Sequence, residues 1–229
     1  MTEYQFTKDW FQWAPEVWKQ LIPLLPERKA FLEIGSFEGR STVWIIENML
    51  ELGGFIDCVD TWEGGEEHKE SGEDMSSVEA RFDHNVKKAL DTNYIRPDNY
   101  PEGYALRPTC FINGHDYAYS HRVYKYKAKS TELLGKQLCD PVVQKVPLYD
   151  FIYIDGSHTA PDVLTDACMA WPLLKPKGMM VFDDYMWGDP RDILHRPKPA
   201  IDAFCNIFAE EAEIVHVGYQ LVVRKKGEE

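Results

Sequence analysis

Apolar positions in the first 29 residues recur at mixed three- and four-residue steps: Trp10, Phe11, Trp13, Val17, Trp18, Leu21 and Ile22. That spacing predicts a helical segment with one face turned to a core. Pro15 suits its first turn, and Pro23 and Pro26 close it. From residue 30 the pattern changes. The short apolar runs Phe31–Ile34, Gly54–Asp60, Leu148–Asp155 and Lys177–Asp183 read as buried strands, and His121–Ala128 alternates like a strand with one wet face. Helical spacing fills the gaps at Ser41–Leu52, Met75–Leu90, Ser130–Leu138, Pro161–Leu174 and Ala200–Glu211, with Ser76 or Ser77 and Ser130 as N-caps. Glu213–Val217 and Tyr219–Arg224 pair as a hairpin around Gly218.

Strand–helix alternation repeated this often predicts an α/β domain: a Rossmann-like doubly wound sheet, mostly parallel, with an antiparallel terminal strand. The expected organisation is an N-terminal helical segment, 1–29, followed by one domain, 30–229. A loop-rich insertion at 91–120 interrupts it, where Pro97, Pro101, Pro108, Gly103 and Gly114 break every period. Loops of that length often act as lids or binding loops. The aromatic stripe of 1–29 is expected to pack on the domain, with roofing a pocket or supplying a homo-oligomer face as the other roles open to it.

Composition narrows the function classes. With 25 Lys and Arg against 38 Asp and Glu the net charge is −13, which argues against general binding to nucleic acid or an anionic membrane. Basic and aromatic residues do mix in His121–Lys129, but the strict alternation there fits a strand better than a nucleic-acid patch. No apolar run approaches the roughly 18 residues of a membrane span, and the N-terminus lacks a signal-peptide profile. The five cysteines are scattered, without C-x-x-C or zinc spacing. A cytoplasmic protein with free thiols is expected.

In a doubly wound sheet, ligands bind beyond the carboxyl ends of the strands. The polar residues there are Glu33 to Gly39, Asp60-Thr61-Trp62, Lys129-Ser130, Asp155-Gly-Ser-His158 and Asp183-Asp184-Tyr185. The first turn, Glu33-Ile-Gly-Ser-Phe-Glu-Gly39, has Phe37 where a dinucleotide fingerprint needs its second glycine, and Arg40 where a P-loop needs lysine. It resembles instead the acidic-x-Gly-x-x-x-Gly motif of class I S-adenosylmethionine-dependent methyltransferases. The resemblance continues through Asp60, Tyr149-Asp-Phe-Ile-Tyr-Ile-Asp-Gly-Ser-His158, Leu173-Leu-Lys-Pro-Lys-Gly178 and Val181-Phe-Asp-Asp-Tyr185. Together these are similar to the methyltransferases with Asp-Gly-x-His after strand four and Asp-Asp-Tyr after strand five, relatives of metal-dependent catechol-type and macrolide-sugar O-methyltransferases.

The resemblance implies S-adenosylmethionine as cofactor. Glu33 would sit near its amino group, Gly35 and Gly39 would let backbone approach, and Ser36 and Ser41 belong to the same turn. Asp60 would hold the ribose with Thr61 beside it, Trp62 would flank the adenine, and Ser130 would lie at its edge. Asp155, Asp183 and Asp184 match the metal-ligand positions, an all-oxygen set that suits Mg²⁺, and Asp155 would also touch the cofactor. Catechol-type enzymes carry an amide at the last ligand position, whereas sugar-type relatives carry an acid as Asp184 does, so the acceptor leans toward a sugar-like or polyol molecule. His158 stands where catechol-type relatives place a general-base lysine, and histidine suits proton removal near neutral pH. Sugar-type relatives place an acid at the position of Ser157. Tyr185, Trp187, the 189–198 loop and Asn113-Gly-His-Asp116 would border a small-molecule acceptor. The rivals are methylation at N or C, a non-catalytic cofactor-binding module, and an NAD-dependent oxidoreductase, which Phe37 disfavours.

Overall fold

The computed structural model describes residues 3–65, 68–69, 72–92, 111–112, 115–116, 121–188 and 191–227. Strands β1 (Ala30–Ile34), β2 (Phe55–Asp60), β3 (Arg122–Lys127), β4 (Tyr149–Ile154), β5 (Leu174–Phe182), β6 (Ala212–Val217) and β7 (Leu221–Lys225) form one sheet, ordered β3-β2-β1-β4-β5-β7-β6. All neighbours from β3 to β5 are parallel; β7 alone runs against them, between β5 and β6. The order reverses between β1 and β4, which puts the crevice for a ligand at their carboxyl ends.

The sheet is covered on both faces, and the two-residue period of each strand decides which core a side chain joins. Phe31, Ile56, Phe151, Tyr153 and Val181 pack under α1 (Ala14–Leu21), α2 (Arg40–Asn48) and α3 (Val78–Thr92). Leu32, Ile34, Ile152, Met180 and Phe182 pack under α4 (Ser130–Leu138), α5 (Ala160–Ala170) and α6 (Lys198–Ile207). This double burial is why β1 and β4 read as continuous apolar runs. Lys125 and Lys127 on β3 pair with Glu79 and Asp83 of α3, so the basic side of that strand is neutralised within the fold.

Several boundaries differ from those expected. The helix before β5 ends at Ala170, a 3₁₀ turn follows at Trp171–Leu173, and β5 begins at Leu174 rather than Lys177. Proline at 172 suits the first turn of that 3₁₀ segment, a signal that the helical spacing hid. The turn before α3 is capped by Asp74, whose side chain accepts the Ser76 amide, and not by Ser76 or Ser77. Ser130 is the first residue of α4 and its hydroxyl is directed elsewhere; Lys129 occupies the N-cap. Within 91–120, Phe111–Ile112 pairs with His115–Asp116 in a short ribbon. The prolines at 97, 101 and 108, the glycines at 103 and 114, and Asn113 lie outside the described residues. Among those described, no helix is long and apolar enough to cross a membrane.

Candidate active site

The turn after β1 is built around a buried acid. Glu33 is fully buried, and its carboxylate accepts hydrogen bonds from Ser36 Oγ at 2.7 Å, Ser41 Oγ at 2.5 Å and the Thr42 hydroxyl. Burial raises its pKa, and the three hydroxyls oppose that rise. The turn reverses tightly beside β4. Gly35 has φ +84°, and a Cβ there would lie 2.0 Å from the backbone oxygen of Asp155. Gly39, with φ +76°, has the Phe82 ring 2.9 Å from where its Cβ would be.

Asp60, at the end of β2, braces the same turn. Its Oδ2 accepts the amides of Ser36 and Phe37 at 2.8 and 2.9 Å, and its Oδ1 accepts the amide of Trp62 at 2.7 Å. A carboxylate has about four acceptor positions, so one is left for a ligand hydroxyl. Trp62 is buried against Phe82 and donates Nε1–H to the Phe37 carbonyl at 2.9 Å. Left-handed backbone at Phe37, Trp62 and Asp184 follows the ends of β1, β2 and β5. Each such non-glycine residue costs about 1–2 kcal/mol, and strain of this kind gathers at functional sites.

Beyond β4 and β5 the carboxylates converge. Tyr153, fully buried beneath them, donates its hydroxyl toward both Asp155, at 2.9 Å, and Asp183. Gln220 Nε2 reaches Asp183 at 3.1 Å, while its Oε1 accepts Trp18 Nε1–H at 2.8 Å. Asp184 takes His158 Nε2 on one oxygen at 2.8 Å and the Tyr219 hydroxyl on the other at 2.8 Å. The ring of Trp187 lies against His158 with centroids 4.6 Å apart. Burial raises the pKa of Asp155, helped by the charges of Asp183 and Asp184; Asp183 rises for the same two reasons, burial and Asp184. Among the described residues no lysine or arginine pairs with the three acids.

One cavity of about 810 Å³ joins these parts, within the usual size of a small-molecule site. Of the expected residues, Gly35, Ser36, Ser41, Asp60, Thr61, Ser130, Asp155, His158, Asp183 and Asp184 line it. Glu33, Gly39 and Trp62 do not: Glu33 and Trp62 hold the turn from behind, and Gly39 gives it room against Phe82. Tyr185 is turned away, donating to Asp202 at 2.9 Å, whereas Trp187 lines the wall. No group of three or more His, Cys, Asp or Glu among the described residues is arranged, as the side chains stand, to hold a metal ion.

Sequence reasoning missed Tyr153, Asp166, Tyr219 and Gln220 as parts of the site. Tyr153 follows the core alternation of β4, and Tyr219 and Gln220 sit in a hairpin whose return beside β5 only the fold reveals. The N-terminal segment packs on the sheet and also borders the cavity. Trp18 is fully buried and meets Tyr153 edge-on at 4.8 Å, while Trp10 and Trp13 are 58% and 68% exposed and line the cavity. The segment is laced to the glycine turn. Buried Glu38 accepts the Thr7 amide and hydroxyl at 2.6 and 2.7 Å, and Asn85 bonds both the amide and the carbonyl of Gln5.

Residues 32–185 match a family described as a methyltransferase domain. No curated protein matches the chain. Among solved structures, the chain is similar to the O-methyltransferase TomG from Streptomyces achromogenes, involved in tomaymycin synthesis and solved with S-adenosylmethionine (SAM). Identity is 16%, the TM-score is 0.57, and the match covers 93% of this chain and 81% of that one. It is also similar to an O-methyltransferase from Bacillus cereus solved with S-adenosylhomocysteine (SAH), at 15% identity and TM-score 0.58, over 98% of this chain and 84% of that one. A family match over two thirds of the chain, on a doubly wound sheet with a glycine turn and acids at its carboxyl edge, assigns it: the chain belongs to the methyltransferase domain family, as a class I S-adenosylmethionine-dependent methyltransferase.

Proposed function

We propose that the protein is a cytoplasmic O-methyltransferase that methylates a small hydroxylated acceptor, sugar-like or a polyol, with a divalent cation assisting. The observation that carries this reading is the single cavity joining the glycine turn and Asp60 to Asp155, His158, Asp183 and Asp184. The neighbours solved with SAM and SAH support the cofactor. In this reading the domain is 30–229, and 1–29 roofs its cavity. Asp60 holds the ribose, Gly35, Ser36 and Ser41 border the methionine end, and Thr61 and Ser130 border the base. SAM supplies a sulfonium methyl for in-line displacement, and much of the acceleration is positioning. His158 Nδ1 is buried, so Nε2 is the nitrogen the cavity can reach. Nε2–H donates to Asp184 at 2.8 Å as the side chains stand, so Nε2 takes the acceptor's proton only when that carboxylate has turned to a cation and left the nitrogen's lone pair to the cavity.

Asp155, Asp183 and Asp184 fit a hard cation by donor type, and their mutual repulsion in a buried site favours one. A cation held there would lower the pKa of the acceptor hydroxyl. The 2.8 Å contact from His158 to Asp184 favours a second reading, in which that pair removes the proton unaided. Chelation separates the two. Dialysis against EDTA should cut methyl transfer from labelled SAM, measured over a panel of glycosides and polyols, by about tenfold or more, with Mg²⁺ restoring it. Unchanged turnover would favour the second reading.

Cofactor binding is tested by thermal melting. SAH at about 100 times its Kd should add roughly 2.7 kcal/mol, a rise of about 5–11 °C for a domain of this size. No rise in folded protein would remove the basis of the proposal.

A further inference from the structure

Phe182, the last residue of β5, has Leu221 of β7 as its antiparallel partner. Continuing that register, Gln220 meets Asp183 and Tyr219 meets Asp184, so neighbouring residues of the hairpin each hold one of two adjacent acids. Tyr219 belongs to the cavity wall. Gln220 lies behind it and is 4% exposed. A buried amide is costly unless its two ends are bonded, and here both are. Its Oε1 accepts Trp18 Nε1–H at 2.8 Å, and its Nε2 donates to Asp183 Oδ2 at 3.1 Å.

The polarity of this chain is fixed from its far end. An indole N–H can only donate, so Trp18, wholly buried on α1, turns the amide oxygen of Gln220 toward itself and leaves the amino group to Asp183. On Asp183 the bond decides which oxygen stays available. Oδ2 is taken by Gln220 and by the Tyr153 hydroxyl, and Oδ1 by the Asp184 amide at 2.8 Å. A carboxylate has about four acceptor positions, so the one left open is on Oδ1. The Tyr153 hydroxyl has one proton to divide between Asp155 and Asp183, which makes Gln220 the side-chain donor whose bond to Asp183 does not depend on Asp155. We infer that Gln220, oriented by Trp18, is a positioning residue that sets the Asp183 carboxylate to take a divalent cation, so that α1 is part of the site's machinery as well as its cover. This rests on the cation reading above.

The test is Mn²⁺ binding, followed by the electron paramagnetic resonance signal of the free ion, beside calorimetric binding of SAH, in wild type, Gln220→Met and Trp18→Phe. Methionine keeps the length of the buried side chain and removes both hydrogen bonds; phenylalanine keeps a ring in the core and removes the indole donor. Gln220→Met should weaken Mn²⁺ binding by on the order of 10- to 100-fold, the usual cost of losing a group that orients a ligand. Trp18→Phe should weaken it by about three- to tenfold, the worth of the one hydrogen bond that keeps the amide from turning over. SAH affinity should stay within about twofold in both, since separate sites respond independently. Leu90→Val, a buried change on α3 outside the cavity wall, should lower the melting temperature and leave Mn²⁺ binding as in wild type. Wild-type Mn²⁺ affinity in Gln220→Met overturns the inference, and so does a loss shared with SAH or matched in Leu90→Val. If Gln220→Met does not fold, Trp18→Phe decides by the same split. Wild type that binds SAH but no Mn²⁺ overturns the cation reading and this inference with it, a result distinct from the others.

Discussion

Replacing Gly35 by Ala should destabilise the protein by about 3–5 kcal/mol, combining the left-handed backbone and an overpacked turn. The position has φ +84°, and the new Cβ would fall 2.0 Å from the Asp155 carbonyl oxygen, with the Asp155 carbonyl carbon and Gly156 Cα also within 2.7 Å. All three are backbone atoms, so no rotamer change relieves the overlap. The strands themselves must part where Asp155 N–H bonds Ile34 O at 2.8 Å. Gly53 is the internal control, since it also has positive φ, +78°, but nothing within 4 Å of its Cβ position. Gly53→Ala should cost only about 1 kcal/mol, for backbone strain alone. In thermal melts the first variant should fall by roughly 6–20 °C and the second by about 2–4 °C. Equal losses would mean that the approach of β1 to β4 adds nothing, and that this glycine is retained for its dihedral angle only.

The contrast between those two glycines shows what the chain discloses on its own. The motif marks Gly35 and not Gly53, but only the pairing of β1 with β4 shows why Gly35 is irreplaceable, by bringing the Asp155 backbone into the space of its Cβ. The fold class was legible because burial on both faces writes β1, β4 and β5 as apolar runs, and the helices between them keep their own period. The candidate residues were legible because the sheet gathers every strand's carboxyl end into one crevice. Partners from elsewhere were not. Trp18 bonds Gln220 across 202 positions, and Gln220 in turn holds Asp183. Asp166 is spaced as an ordinary polar position on α5, and only the packing of α5 on α4 turns it to Ser130. Trp62 reads equally well as a ligand platform or a buttress, and its indole N–H on the Phe37 carbonyl gives it the second role.

His158→Ala should lower kcat for methyl transfer by about 10²- to 10⁴-fold, the usual range for losing a general base. SAH affinity should stay within about twofold, because a group needed only in the transition state adds little to ground-state binding. The imidazole lies between the Trp187 ring, 4.6 Å away between centroids, and the Asp184 carboxylate, 2.8 Å from Nε2. These contacts fix the ring without help from the glycine turn, so removing it leaves the cofactor end of the cavity intact. Tyr219→Phe supplies the graded case. It removes a 2.8 Å hydrogen bond from the far oxygen of Asp184 and leaves His158 in place. A loss of about tenfold or less in kcat is then expected, the worth of one hydrogen bond acting through a second residue. Should His158→Ala retain turnover while Asp183→Asn abolishes it, proton removal would belong to the carboxylate cluster and its cation, and the histidine would serve only to position Asp184. Should both variants turn over like wild type in the labelled-SAM assay, neither group would be doing the chemistry assigned to this end of the cavity.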